Sequence, residues 1–328
     1  MTHTKERSKS SNTKHTPKRF SVIIPLYNKA AEVEATVRSV LAQTLQPAEI
    51  VVVDDGSTDS SATIVEAIGS TLVRLIRQAN AGECAARNRA MAEATGDWFA
   101  LLDADDRWKP QFLEEVSEMI DLWPHCGIYS TAFDIVSPTG IVRAKTPTVR
   151  GPVENFWKES MTSYVTIPSA TVLARRAVEE VGGFPEGMKM GGDQFMWIKV
   201  ASRYGVCFSP KALCDYSMVA SNRSSAIYTP EQTPYRLEDF LKEALWDEEQ
   251  ERWRREFVAK CAIGKALTLT AKGDEEFGRR VVANFGYTEH YRRGLRKLKV
   301  LLALPRRMRP WAHRTYNRLA WLLAHKGL

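Results

Sequence analysis

The sequence has no cysteine pair at C-x-x-C spacing, no apolar run long enough to cross a bilayer, and no glycine-rich phosphate loop near its amino end. Each absence removes a class of protein. Five cysteines (Cys84, Cys126, Cys207, Cys214, Cys261) are an odd number with no histidine at metal-ligand spacing, which excludes a disulfide framework and a zinc module. They read as small buried apolar side chains in a reducing compartment. Met1 to Arg19 is polar and rich in Ser, Thr and Lys, the pattern of neither a secretory signal nor a membrane span. The expected setting is cytoplasmic, at most peripheral on the inner face of the cell membrane. There is no internal repeat, and the missing phosphate loop argues against a nucleotidyltransferase.

What is present is enough apolar material for a packed core: 328 residues, 44% of them hydrophobic, room for one large domain or a domain with an appendage. The formal charge of +7 is unevenly spread. Residues 1–19 carry +5 and residues 289–328 carry +10, which leaves −8 for residues 20–288. The body is acidic and its ends are basic. No nucleic acid is expected as a partner, because the basic ends come without a recognition motif.

Apolar β-branched runs at Phe20–Leu26, Glu49–Val53, Leu72–Ile76 and Trp98–Leu102 read as strands buried on both faces. Between the first two, Val33, Val37, Val40 and Leu41 share one helix face; further helices are expected at 58–68 and 82–94. This alternation predicts parallel pairing with ligands at the carboxyl ends of the strands. After Asp103 the spacing predicts a helix over 111–122, a hairpin or mixed-sheet region over 127–144, a strand at 170–173 and a helix at 194–203. From Pro230 onward the chain reads as helical. The domains expected are a basic disordered tail (1–19), an α/β domain (20–229, divided at 107/108) and a helical basic region (230–328).

Four segments at strand ends or helix starts carry chemistry. Asp103-Ala104-Asp105-Asp106 closes an apolar strand with three hard carboxylate ligands suited to Mg²⁺ or Mn²⁺. The structural alternative is that Asp106 caps the next helix and the others are solvated. At Asp54–Asp59, turn chemistry explains Gly56, Ser57 and Asp59, so Asp55 alone is nominated for ligand contact. Pro25, Tyr27 and Asn28 end the first strand, with a ring able to lie against a base. Asn80 to Asn88 opens a helix with small residues and supplies Arg87, either to phosphates or as a fork on Asp103 or Asp55.

Ser21-Val22-Ile23-Ile24-Pro25-Leu26-Tyr27-Asn28, Asp54-Asp55-Gly56-Ser57, Ala86-Arg87-Asn88 and Asp103-Ala104-Asp105, in that order, resemble the nucleotide-binding half of family 2 glycosyltransferases. The resemblance runs from about Phe20 to Ser225. It implies a GT-A-type fold, a Rossmann-like, mostly parallel sheet flanked by helices, with a mixed-sheet acceptor half and a helical C-terminal extension. It also implies an inverting, metal-dependent hexosyl- or N-acetylhexosaminyltransferase using Mn²⁺ or Mg²⁺ and a nucleotide-sugar donor, uridine being the commonest base in the family. Pro25, Tyr27, Asn28 and Asp55 would surround base and ribose, and Asn80, Arg87, Asp103 and Ala104 the nucleotide. Asp105 with Asp103 would hold the metal. Ala90 stands where the family often has glycine.

Gly191-Gly192-Asp193-Gln194 resembles the family segment in which a Glu-Asp pair opens a helix and the aspartate is general base. Asp193 matches; Gly192 replaces the glutamate. A plain helix cap is the alternative for Asp193. Tyr216 to Ser225 resembles the loop that closes over the donor, without its usual histidine, leaving Asn222 and Arg223 as diphosphate candidates beside a simpler solvent-facing role for the arginine. The basic stretch Arg292, Arg293, Arg296, Lys297 and Lys299 beside Val300, Leu301, Leu302 and Leu304, with Trp311, Tyr316 and Trp321, suits an anionic membrane surface that presents a lipid-linked acceptor. Equally, it suits an amphipathic helix packed on the domain or on a second copy in a homo-oligomer. The expected acceptor is a saccharide or lipid-linked hydroxyl in bacterial surface polysaccharide or glycolipid synthesis. The competing function is a non-catalytic nucleotide-sugar-binding subunit.

Overall fold

The computed structural model describes residues 18–188, 191–220, 237–242, 245 and 247–315. The tail expected at 1–19 falls, up to Pro17, outside the described residues, as do Asn222, Arg223, Tyr316 and Trp321.

Four strands and three helices alternate from Phe20: β1 (Phe20–Leu26), α1 (Val33–Leu41), β2 (Glu49–Asp54), α2 (Ser61–Ala67), β3 (Val73–Arg77), α3 (Glu83–Glu93) and β4 (Trp98–Leu101). β1 pairs in parallel with β2 and β4, and β2 with β3. The chain continues through β5 (Arg107–Trp108), α4 (Phe112–Leu122), β6 (Cys126–Ser137), β7 (Gly140–Arg143), β8 (Gly151–Pro152), α5 (Phe156–Glu159), β9 (Thr171–Ala174), α6 (Arg175–Val181), α7 (Gly192–Ala201) and β10 (Gly205–Ser217). One sheet results, in the order β3-β2-β1-β4-β9-β6-β10-β5, with β7 on β6 and β8 on β10. β9 runs against both β4 and β6, while β6 and β10 are parallel, so β1, β2, β4, β6 and β10 end on the same side. This is the mixed α/β sheet that the sequence led us to expect.

Side chains alternate across the strands and bury both faces. Ile23, Val51 and Val53 face a cluster that includes Ala86 and Ala90 of α3, whereas Val22, Ile24, Ile50 and Val52 face Val33 and Val37 of α1 and Val116 of α4. The expectation fails at β3. Val73, Leu75 and Ile76 are half-buried and Arg74 and Arg77 exposed, because β3 is the sheet's edge and neither face is fully roofed.

The chain continues through helices α8 (Glu248–Lys272), α9 (Glu275–Asn284) and α10 (Arg292–Ala303). Asp247 caps α8 by accepting from the Gln250 amide at 2.8 Å, and Gly273 ends it with φ 117°. Phe257, Val258, Ala262, Ile263 and Ala266 of α8 belong to the same apolar cluster as Ile23 and Val51. The helical region therefore extends the core of the sheet. Leu295 and Leu298 of α10 are buried in that cluster and Leu302 packs against it; of the apolar residues Val300, Leu301, Leu302 and Leu304 in the basic stretch, Leu301 is buried and Val300 exposed. Arg292, Arg293, Arg296 and Lys299 point outward with Val300, Met308 and Trp311. Among the described residues no helix is long and apolar enough to cross a membrane.

Leu298, with none of its surface exposed, locks α10 onto α8. Leu298→Ala should lower unfolding free energy by about 2–5 kcal/mol, read in urea as a lower midpoint at unchanged slope.

Candidate active site

β2, β1 and β4 are neighbours, and the strand order reverses about β1: the chain moves outward to β3 and returns to β4 on the other flank. An open sheet leaves a crevice at such a point. Asn28 bridges two of its walls in a left-handed conformation, φ 50°. Its amide donates to Ser57 Oγ at 3.0 Å and its Oδ1 accepts from the Thr58 amide at 2.7 Å. Tyr27 stands at the mouth, 37% exposed.

Asp55 is buried and both carboxylate oxygens are engaged. Oδ1 accepts from the Ala81 amide and Gln78 Nε2, each at 2.8 Å, and Oδ2 from the Gly82 amide at 2.8 Å. Asn80 Nδ2 donates to the Asp55 carbonyl at 2.9 Å. Asp55 thus shapes the loop that starts α3, a role its turn position did not reveal. Asp59 accepts from the Ser61 amide at 3.0 Å and from Ala30, tying the turn to β1.

Arg87, on the inward face of α3, takes the first of its two expected partners. Its Nη2 donates to Asp103 Oδ1 at 2.6 Å and to the Glu83 carboxylate, and the guanidinium lies 5.2 Å over the Phe184 ring. Lys29 Nζ pairs with Asp105 Oδ2 at 2.7 Å. The Ala104 carbonyl, inside the fold, accepts from Thr36 Oγ1 at 3.0 Å. Asp106 does not cap α4, whose cap is Gln111. Its buried carboxylate accepts from the Ser217 amide at 2.7 Å and binds the end of β10 to the end of β4. Burial, with Asp103 and Asp105 beside it, pushes the Asp106 carboxyl well above the usual carboxylate range.

Asp193 is the second residue of α7, after a Gly191 cap with φ 84°. It lines a cavity of about 620 Å³ between the 160–167 loop and α8, with Lys260 and Lys265 opposite. Burial raises the Asp193 carboxyl above its ordinary value; the Gln194 amide and the Arg87 guanidinium pull it back and Asp103 pushes it up. Glu83 responds to the same neighbours. Against the strong downward pull of Arg87, burial together with Asp103, Asp193 and Asp105 leaves its carboxyl raised. Its side chain nonetheless keeps 42% of its surface open, the signature of a group crowded inside a cleft. Asp103, Asp105 and Asp193 therefore share one electrostatic neighbourhood. Lys265, nearly enclosed, is pushed down to about 8 by burial, with Asp193 drawing it back up.

Residues 21–182 match the family described as Glycosyl transferase family 2. This segment is similar to a family 2 glycosyltransferase domain. An uncharacterized glycosyltransferase of Nostoc sp. is 44% identical over 104 residues, 31% of this chain and 32% of that protein. The TuaG glycosyltransferase of Bacillus subtilis, named for teichuronic acid biosynthesis, is 36% identical over 123 residues, 37% of this chain and 48% of TuaG. The chain thus spans about a third to a half of these relatives. A crystal structure of S. aureus TarS 1-349 with UDP-GlcNAc superposes with TM-score 0.65 at 19% identity, covering 90% of this chain and 92% of that one. The likeness is one of fold, the GT-A type, and covers most of the chain.

Within the matched segment, two charged residues escaped the sequence reading. Glu83 stands four residues before Arg87, an i,i+4 spacing that was readable; nothing in the sequence linked Lys29 to Asp105. The structure also accounts for Gly192, just beyond the matched segment. A Cβ there would lie 2.3 Å from Cys84 Sγ, so α7 packs on α3 too tightly for a glutamate. Arg87→Met would leave Glu83 and Asp103 facing each other without a cation. Unfolding free energy should fall by about 3–5 kcal/mol, measured by urea titration, and Arg87→Lys should restore only part of it because the planar fork is lost.

Proposed function

We propose that the protein is an inverting glycosyltransferase that moves a hexosyl or N-acetylhexosaminyl residue from a nucleoside diphosphate sugar to an acceptor hydroxyl. The observation that carries this reading is the mutual electrostatic influence of Asp193, Arg87 and the carboxylates after β4. In this reading residues 20–107 hold the donor, 108–229 form the acceptor side, and 230–328 the helical region. Pro25, Tyr27, Asn28 and Asp55 border the base and ribose, while Asn80, Arg87, Asp103 and Ala104 border the rest of the nucleotide. Uridine is the preferred base, supported by the UDP-GlcNAc held by S. aureus TarS. TuaG, named for teichuronic acid biosynthesis, supports an acceptor in surface polysaccharide or glycolipid synthesis.

The donor set suits Mn²⁺ or Mg²⁺. Asp103 and Asp105 each commit one oxygen to a cation, Arg87 or Lys29. No three His, Cys, Asp or Glu groups among the described residues close a protein-only cage. A hard ion held by Asp103 and Asp105 would need diphosphate oxygens to complete its coordination. Asp105 with Asp103 would hold the ion, which when bound neutralises charge on the departing diphosphate. Asp193 accepts the proton of the acceptor hydroxyl as that oxygen attacks the anomeric carbon from the face opposite the diphosphate. Arg87 holds Asp103 and Glu83 through one nitrogen of its guanidinium, and a single displacement inverts the anomeric centre.

Release of nucleoside diphosphate from a panel of nucleotide sugars with Mn²⁺ tests the reading, and metal-dependent release also rejects the non-catalytic subunit. Asp193→Asn should keep donor affinity and lower kcat by about a hundredfold or more; unchanged kcat would remove Asp193 from the role. Because the Asp193 carboxyl is raised and acts deprotonated, kcat should fall with decreasing pH through a value above the ordinary aspartate range.

An anionic membrane surface is the partner we assign to the outward face of α10. Arg292, Arg293, Arg296 and Lys299 surround the exposed Val300, with Met308 and Trp311 beyond. Reversing Arg292, Arg293 and Arg296 to Glu leaves the Leu295–Leu298–Leu301 packing in place and should abolish flotation with phosphatidylserine vesicles. Equal flotation of the variant would overturn the assignment.

A further inference from the structure

The cavity at Asp193 does not end there. A second cavity, of about 850 Å³, adjoins it, and Met161, Thr162 and Tyr291 line both. Either volume alone is in the range that takes a small ligand, roughly 300–1,000 Å³. Joined end to end, they form a trough too large for one sugar ring.

Helix α8 forms the length of one wall. Gln250 and Trp253 line the outer cavity, and Phe257, Lys260, Cys261 and Gly264 the inner one. These positions recur at helical spacing on one face, and Gln250 to Gly264 spans about 21 Å of helix axis. The opposite wall is fixed to this one: Lys260 Nζ donates to the carbonyls of Ser160 and Met161 at 2.7 and 3.0 Å. Gly264 gives independent support. It sits inside a long helix, where glycine is destabilising by about 1 kcal/mol relative to alanine, yet a Cβ there would meet nothing within 4 Å. Packing does not require this glycine, and its missing side chain widens the trough next to Asp193.

The lining defines the occupant. Trp253 and Tyr291 offer ring surfaces of the kind against which the C–H faces of sugars pack, and Trp253 is held at 4.3 Å from the His290 ring. Around the outer cavity Glu154, Glu159 and Glu249 outnumber the single lysine Lys158. Carboxylates accept hydrogen bonds from sugar hydroxyls and repel a chain of phosphates or uronates. We propose that this trough binds the acceptor as an oligosaccharide chain of at least two units, neutral or amino-sugar in type, with its terminal hydroxyl at Asp193 and the preceding units along α8 toward Trp253. The assignment of the terminal hydroxyl rests on the proposed transferase reading; the glycan site itself does not.

The test is retention of the full chain, without donor, on an immobilised panel of neutral, amino-sugar and uronate saccharides of one to eight units. Retention should require two or more units and favour neutral or amino-sugar chains. Gly264→Phe, which fills the trough while replacing a helix-weakening residue, and Trp253→Ala should each reduce it about tenfold at unchanged melting temperature. Retention is read without donor or turnover, which separates a failed groove from a failed general base. Equal retention of monosaccharides, preference for uronate chains, no retention of any member, or retention by Gly264→Phe equal to the parent would each overturn the proposal.

Discussion

Five carboxylates crowd the carboxyl end of this sheet, and their coexistence depends on the Arg87 guanidinium. Two like charges about 4 Å apart repel by about 4 kcal/mol at the effective dielectric of a protein surface, and Glu83 and Asp103 are bound to the same nitrogen of Arg87. Arg87 reaches them because α3 begins at a fixed place. Asp55 holds the preceding loop through the Ala81 and Gly82 amides, so the turn after β2 sets the start of the helix that carries the arginine. The same helix receives α7 where Gly192 meets Cys84, which brings Asp193 within the field of that charge. Position and electrostatics thus come from one packing arrangement.

The acidities around the cleft are consistent with that arrangement. Burial raises Asp106 and Asp193 and lowers Lys265, and in each case desolvation of the charged form is the leading cause. A site with several groups displaced toward neutrality is poised for proton exchange and for a cationic ligand. It also destabilises the empty fold, a tension supported elsewhere by a core continuous from the sheet into α8.

Much of this was legible in the chain, because local rules and global fold agree over its first third. The runs at 20–26, 49–53 and 98–102 became β1, β2 and β4 with at most a residue of difference, and their alternation with amphipathic helices dictated parallel order. Polar residues ending those strands stand in the crevice for the same reason. Legibility ended where distant segments meet. β3 looked as apolar as its neighbours, yet being an edge is a property of the sheet. Asp106 has a capping residue's composition, but its partner Ser217 lies 111 positions away. Asp55 gave no sign that its oxygens would be taken by a loop 23 to 27 residues on. For α10 the helical period was readable, though which side met protein was decided by α8 and α9.

Helix α8 serves two masters: its inner stripe is core and its adjoining stripe is the wall of the trough. Since successive residues turn by about 100°, inserting or deleting a single residue early in α8 would rotate Trp253 and Gly264 out of register with the sheet-borne aspartates while thrusting core side chains into their place. The ligand-facing surface can therefore diversify by substitution but not by length. Over this helix, unlike the surface loops, evolutionary change is confined to a fixed frame.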